Sequence, residues 1–361
     1  MVYNFLMKKA LIRWLLLLLS GLLVAAMVLY IRAAMLSAPS PATSWPWKGA
    51  IRETPHSGVT HWKAVSADGT ILHLLDFDFA ANPHLRLELY DQDEDDEKPF
   101  DNNARISEKG AAQVTRQLND KGQGKVIAAW NGLFFATERT KHHVAPVVLN
   151  GKVLYNVGRV RWTVGVKYQD GKPIFKALHQ PDRNTLAKEY TYAASAAQCL
   201  IKDGVPLKLK LYPILPPKQL PSPVPSTPRE AGYIQTVDFL RTSRTSMAWS
   251  QDNRHFYLLT VQEPDSELIS IDDFLKHRRG IGGWSLADLQ RFWQSFGAWG
   301  AVNSDGGEMT EMICLRPDGI YLLIPPLFYT TQKEFILSPD FKDAPRGGTL
   351  MYFYVRDAGS K

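Results

Sequence analysis

Cysteine is scarce. Only Cys199 and Cys314 occur in 361 residues, too few for a disulfide scaffold, a cysteine-ligated zinc site or an iron–sulfur cluster. One bridge between them stays open, as does a pair of buried thiols behaving as small apolar side chains, because residues so far apart cannot be paired without geometry. A basic stripe is also missing. The formal charge is +6 and the isoelectric point about 9.1, but lysine and arginine are scattered and no nucleic-acid motif occurs. Nucleic acid is therefore not an expected partner, and the basicity reads as solubility or weak attraction to anionic envelope polymers. The low hydrophobicity of a disordered chain is absent too: 45% hydrophobic and 22% charged residues supply the core of one large domain or two modest ones.

Metal-ligand spacing is lacking as well. The acidic run Asp91, Asp93, Glu94, Asp95, Asp96 and Glu97 does not have calcium-loop spacing and reads as a solvated loop. His142 and His143 are adjacent, so on a strand or loop they diverge and read as solvated rather than as ligands. No metal and no cofactor are expected.

What is present begins at the start of the chain. Trp14 to Ile31 is an uncharged apolar run preceded by Lys8, Lys9 and Arg13, long enough at about 1.5 Å per residue to span a bilayer. Its basic flank predicts one transmembrane helix with the amino terminus inside, and hence a body in the periplasm or at the outer surface of the cell. A cleaved signal peptide is the rival, but the run exceeds a usual signal core, Arg32 follows it directly and the cleavage pattern is weak. The expected organisation is an anchor over 1–32, a Pro/Ser-containing tether over 33–56 and one domain over 57–361. That domain carries a proline-dense, extended insertion at 206–228.

Local patterns predict an α+β body with a mixed, mostly antiparallel sheet and a few packed helices. Strands are expected at Ile71–Phe79, Leu85–Tyr90, Val126–Trp130, Val144–Leu149, Val153–Tyr155, Trp162–Tyr168, His255–Val261 and Trp299–Val302. Helices are expected at Ile106–Leu118, Ile271–Lys276 and Ser285–Phe296. In the last, Ser285 and Asp288 form a capping box, Leu286, Leu289, Phe292, Trp293 and Phe296 share a face, and Gly297 suits the C-terminal cap.

Three segments place a polar or charged group beside glycine or a small residue: Asn131-Gly132, Arg244-Thr245 and Asp305-Gly306-Gly307-Glu308. Singly, each reads as a turn or a surface pair. In series with Gly58-Val59, Asn82-Pro83, the Phe134-Phe135 that follows Asn131-Gly132, the Leu200–Gly204 turn and Gly283–Leu286, they form an ordered pattern over roughly Gly58 to Ile324 that resembles the phosphodiester glycosidase family. The chain departs from the usual pattern at Leu133, at Ser246-Met247-Ala248 and at Glu308-Met309, with Thr310 standing one place late for a serine. These changes enlarge side chains around the site, and keep open a catalytically silent glycan-binding or assembly module on the same fold.

The resemblance implies a hydrolase acting on a sugar phosphodiester, and the residue types suit that chemistry. The Arg244 guanidinium offers a planar fork of donors to phosphate oxygens. Breaking the sugar C1–O bond releases a phosphate monoester already stabilised as an anion, so one carboxylate suffices on the other face. Asp305 is the first candidate for that carboxylate and Glu308 the second. Asn131 is expected to orient a sugar hydroxyl or phosphate oxygen, Thr245 and Thr310 to line the substrate site, and Gly132, Gly306 and Gly307 to let the backbone approach. Arg159 and Arg161 either add to the phosphate site or alternate on an exposed strand. Trp130, Trp284, Trp293 and Trp299 either stack on sugar or belong to the core. The expected partners are a carbohydrate or sugar-phosphate substrate and, through the first helix, the membrane.

Overall fold

The computed structural model describes residues 43–103, 109–136, 142–155, 162–209, 241–264, 283–326, 332–338, 340–345 and 348–359, with Gly21, Ala26 and Met27 before them. Two compact units are present, Met1–Pro39 and Ser40–Lys361. In the first, the three described residues are helical, and the rest of the Trp14–Ile31 run lies outside the described residues. Among the described residues no helix is long and apolar enough to cross a membrane.

The second unit opens with β1 (Ile51–His56), β2 (Val59–Val65), β3 (Ile71–Asp78) and β4 (Leu85–Asp91), followed by α1 (Ala111–Asp120) and β5 (Lys125–Asn131). Then come β6 (Phe135–Ala136), β7 (His142–His143), β8 (Val147–Leu149), β9 (Lys152–Tyr155), β10 (Trp162–Gln169), β11 (Lys172–His179), α2 (Arg183–Glu189), β12 (Tyr192–Lys202) and β13 (Val205–Pro206). After residue 240 follow β14 (Arg244–Trp249), β15 (His255–Gln262), α3 (Leu286–Phe296), β16 (Gly300–Asn303), β17 (Met312–Leu315), β18 (Tyr321–Ile324), β19 (Phe335–Ile336) and β20 (Met351–Asp357). A twelve-stranded sheet runs β1-β2-β3-β15-β14-β16-β12-β10-β11, with β8, β9 and β13 attached through β12. A six-stranded sheet runs β19-β18-β17-β5-β20-β4, and β6 pairs with β7. The mixed sheet expected from sequence is instead antiparallel in every pair among the described residues. The reason is local: β1 to β3, β10 to β12, β14–β15 and β17 to β19 each connect to a sequence neighbour, which favours antiparallel pairing.

The large sheet is apolar on both faces because its strands alternate two apolar sets. Leu72 and Leu74 of β3, with Leu259 and Val261 of β15, join Leu286, Leu289, Phe292 and Trp293 of α3 in one cluster. Leu75 and Phe77, with Phe256 and Leu258, point the other way and meet the second sheet. Trp130 sits between the sheets, its ring about parallel to Phe77, Phe256 and Phe353 at 6.2, 6.0 and 6.0 Å. Trp130, Trp284 and Trp293 are thus core residues, and the partly buried Trp299 packs on the cluster that holds Trp130.

α3 forms as its sequence specifies. The Ser285 hydroxyl accepts the Asp288 N–H, the Asp288 carboxylate accepts the Ser285 N–H, and Gly297 ends the helix in the left-handed region. α1 starts five residues later than the pattern suggested, at Ala111. The expected tether is shorter than its composition implied, since 51–56 is a strand. Pro55 is accommodated because β1 is the sheet's edge and its register shifts between Glu53 and His56. Upstream, Trp45 and Trp47 pack on Phe296 and Phe292 of α3 at 5.1 and 5.3 Å. β12 and β14, on either side of the proline-dense stretch, share one sheet through β16. Most of that stretch, the expected helix at Ile271–Lys276, and Arg159 and Arg161 lie outside the described residues. Cys199 and Cys314 are both buried and free, one in each sheet, and burial pushes the Cys314 thiol up to about 12.

A buried pair of histidines makes this fold acid-sensitive. His61 Nε2 and His73 Nδ1 stand 3.0 Å apart, while His73 Nε2 lies 3.0 Å from Glu334, itself 2.6 Å from Lys63. With both rings neutral, His61 donates to His73, whose Nε2 faces the Glu334 carboxylate. Burial, then the neighbouring His73, holds His61 down to about 3; burial also lowers His73. The contact with His73 holds Glu334 at about 2. Because the native histidines refuse protons that the unfolded chain accepts, stability is complete above about pH 6.5 and falls as the pH drops toward 3. Glu334 adds a loss below about pH 4.5. Thermal midpoints measured from pH 8 to pH 4 should fall, and His61→Gln should flatten the curve. A midpoint that stays level between pH 7 and 5 would contradict this account.

Candidate active site

The three segments singled out in the sequence meet at one place. β5, β14 and β16 bring Asn131, Arg244-Thr245 and the loop after Asn303 side by side. Asn131 is fully buried, and its carboxamide ties the three together. Its Oδ1 accepts the Thr245 hydroxyl at 2.6 Å and the Glu311 N–H at 3.0 Å, and its Nδ2 donates to the Asp305 carbonyl at 2.7 Å. Both bonds at Oδ1 and one of the two Nδ2 hydrogens thus hold Thr245 and the loop. Thr245 is likewise fully buried and serves Asn131.

Gly132 extends this framework. It donates to the Met351 carbonyl at 2.7 Å and accepts the Asp305 N–H at 3.2 Å. A Cβ at Gly132 would stand 2.5 Å from the Met351 oxygen, so no side chain fits. Ser304 closes the arrangement, its hydroxyl donating to Gly132 O at 2.5 Å and its N–H to Thr245 O at 2.9 Å.

The turn that follows carries Asp305 and lays its neighbour Gly306 against Arg244. The half-buried Asp305 caps its own loop, Oδ1 accepting the Gly306 N–H at 2.9 Å. Gly306 lies against β14, where a Cβ would meet Ser243 O at 3.0 Å and Arg244 Cδ at 3.4 Å. Gly307, at φ +64°, donates to Ser243 O at 2.7 Å and starts a 3-10 turn through Met309. Glu308 is on that turn, and its side chain lies outside the described residues. Arg244 is buried, and its Nε donates to the Trp284 carbonyl at 3.0 Å. Trp284 is placed for this by a bridge in which its N–H and C=O pair with Thr242. The predicted start of α3 therefore also aims the guanidinium. Thr310 is buried and its hydroxyl has no hydrogen-bond partner among the described residues, as is true of Asn303 Oδ1 and of Thr242 Oγ1, which faces Gly307. Buried polar atoms are rarely left so, and here they flank the Asp305–Gly307 turn.

Glu311 belongs to the site's frame and gave no sequence signal. Its buried carboxylate accepts the Ala111 N–H at the start of α1 at 2.8 Å and the Tyr352 hydroxyl at 2.9 Å, an anion at a helix N-terminus. The acidic run was read as solvated, yet Asp91 and Asp93 are fully buried. Partners distant in sequence, His143 and Tyr155, enclose them. Among the described residues no group of three His, Cys, Asp or Glu could hold a metal ion.

Comparison with known families places the chain. The profile of the phosphodiester glycosidases matches residues 124–332, which include Asn131, Arg244 and Asp305. The chain belongs to the phosphodiester glycosidase family. Among solved structures, the fold is similar to the catalytic domain of zebrafish N-acetylglucosamine-1-phosphodiester alpha-N-acetylglucosaminidase, auto-inhibited by its pro-peptide. That match has a TM-score of 0.50 and 14% identity, covering 89% of this chain and 94% of the other. It is also similar to a hypothetical protein from Synechocystis, with a TM-score of 0.50 and 11% identity over 86% of this chain and 64% of that one. At such identities the likeness is one of fold. No curated protein sequence matches the chain.

Proposed function

We propose that this phosphodiester glycosidase family member is a membrane-anchored hydrolase that cleaves the C1–O bond between a sugar and a phosphodiester in envelope or exopolysaccharide material. The observation that carries the reading is the convergence of Arg244 and Asp305 through Asn131 and Gly306. The cation begins β14 and the carboxylate sits on the loop after β16, which Asn131 holds and whose Gly306 lies against Arg244. In this reading Arg244 neutralises the departing phosphate, which leaves as an anion and needs little help from a general acid. Asp305 stabilises the positive charge that develops at C1. Thr310 and the backbone of Gly306-Gly307 line the substrate, with Glu308 beside them. The anchor follows from the apolar run Trp14–Ile31 and its basic flank, which also put the body outside the cytoplasm.

The full chain should release reducing sugar from the methyl diester of N-acetylglucosamine 1-phosphate or from a related sugar 1-phosphodiester. Binding of such diesters without turnover would favour the silent glycan-binding module instead. For topology, a reporter fused after residue 361 should be active only outside the cytoplasm, and a cytoplasmic signal would overturn the orientation. A mature chain beginning near Ala34–Ala38 would make the first segment a cleaved signal.

A further inference from the structure

A second group of buried polar side chains adjoins the candidate site and has no role in the chemistry described so far. Asp91, at the end of β4, is 0% exposed and pairs in register with Met351 of β20. Met351 in turn accepts the Gly132 N–H, and Gly132 accepts the Asp305 N–H. Antiparallel partners lie about 5 Å apart, so Asp91 is one strand removed from the glycine on which Asp305 rests. Asp91 Oδ2 stands 2.6 Å from His143 Nε2, on a ring whose residue is only 5% exposed. The His143 N–H donates to Asn102 Oδ1 at 2.7 Å, and the Asn102 Nδ2 donates back to the His143 carbonyl at 3.3 Å. The Tyr155 ring lies tilted against the imidazole at 4.4 Å, and its hydroxyl donates to Asp93 at 2.5 Å.

The tautomer follows from these partners. A carboxylate only accepts, so Nε2 carries the proton toward Asp91 and Nδ1 holds the free lone pair in the neutral ring. Among the described residues no hydrogen-bond partner stands at Nδ1. Asp91 and Tyr155 contact the ring, and Asp93 and Asp101 act on Tyr155 beside it; none of these groups is cationic. A proton taken up at Nδ1 would be met by the Asp91 carboxylate. This is how a histidine is built to act as a base, with a carboxylate fixing its far nitrogen.

We propose that His143, positioned by Asp91, is the base that takes the proton from the water attacking C1; the proposal rests on the hydrolase reading above. The water oxygen bonds to C1 while the C1–O bond to phosphate breaks, its electron pair leaving with the phosphate monoester. One water proton passes to His143 Nδ1 and then to solvent, and the other stays on the sugar as its new hydroxyl. Asp305 is then free to remain a carboxylate beside the oxocarbenium-like centre. His143 is the catalytic residue here and Asp91 a positioning residue.

The test uses the full chain and the methyl diester of N-acetylglucosamine 1-phosphate. His143→Gln should lower kcat about a hundredfold with KM little changed, and should abolish the rise of kcat with pH. Asp91→Asn should lower kcat and move that rise to lower pH, because the imidazolium loses its counter-charge. Normal kcat in His143→Gln, or an unaltered pH rise, overturns the proposal. A measurement on the unsubstituted chain separates it from the hydrolase reading: in nitrogen-15 histidine spectra, N-acetylglucosamine 1-phosphate should shift the His143 Nδ1 resonance. A shift without hydrolysis of any diester would defeat the hydrolase reading and leave His143 in the ligand site. An unmoved resonance at saturating ligand would remove His143 from the site, whatever the activity.

Discussion

Asp305→Asn is expected to cut turnover of a sugar 1-phosphodiester about a hundredfold, roughly 3 kcal/mol of lost transition-state stabilisation, while the fold survives. Survival follows from the geometry, since an amide oxygen can still accept the Gly306 N–H that Asp305 Oδ1 accepts now. What disappears is the charge facing the sugar's developing cation. Arg244→Lys is the partner experiment. It keeps a positive charge but cannot reproduce the fork, and it abandons the Nε contact to the Trp284 carbonyl, so kcat/KM should fall as well. Glu308→Gly separates the two acidic candidates. If Asp305→Asn kept near-normal rates and Glu308→Gly destroyed them, the roles would be reversed; if neither mattered on an active substrate, the site would lie elsewhere.

How much of this site was legible in the sequence depends on how local each residue's job is. The cap of α3 was readable because Ser285 and Asp288 bond within one turn. The strand ends at Asn131 and Asn303 were readable because apolar runs stop there at glycine-containing loops. That Asn131, Thr245 and Asp305 touch was signalled only by the family pattern, since the bonds join residues more than a hundred positions apart. Composition misled where distant partners supply the burial. Six acidic residues within seven positions look solvated, but His143, Tyr155 and Asn102 cover the first two. Pro46 and Pro55 suggested a tether, but an edge strand tolerates a proline and Trp45 and Trp47 find the apolar face of α3. Glu311 was invisible because its partners, the α1 N-terminus and Tyr352, are set by the fold alone.

Asn131→Ala should produce the largest loss of stability of any single change around the site, with activity lost alongside it. The substitution removes one side chain and strands three buried groups, the Thr245 hydroxyl, the Glu311 N–H and the Asp305 carbonyl. Each unpaired group costs about 1–3 kcal/mol, so even with partial relaxation a loss of about 4 kcal/mol is expected, a large share of the stability of an ordinary domain. Denaturant unfolding at pH 7 measures it directly. Asn131→Asp sharpens the test, because a carboxylate still accepts from Thr245 and Glu311 but has nothing to donate to the Asp305 carbonyl, 2.7 Å from the present amide nitrogen. Its deficit relative to the unsubstituted chain should narrow as the pH falls, since a protonated carboxyl regains a donor. Comparing the two proteins at each pH removes the acid sensitivity of His61 and His73, which both share. Should Asn131→Ala instead keep full stability while losing all activity, the carboxamide would be acting on substrate and its place as the strut of the loop would be refuted.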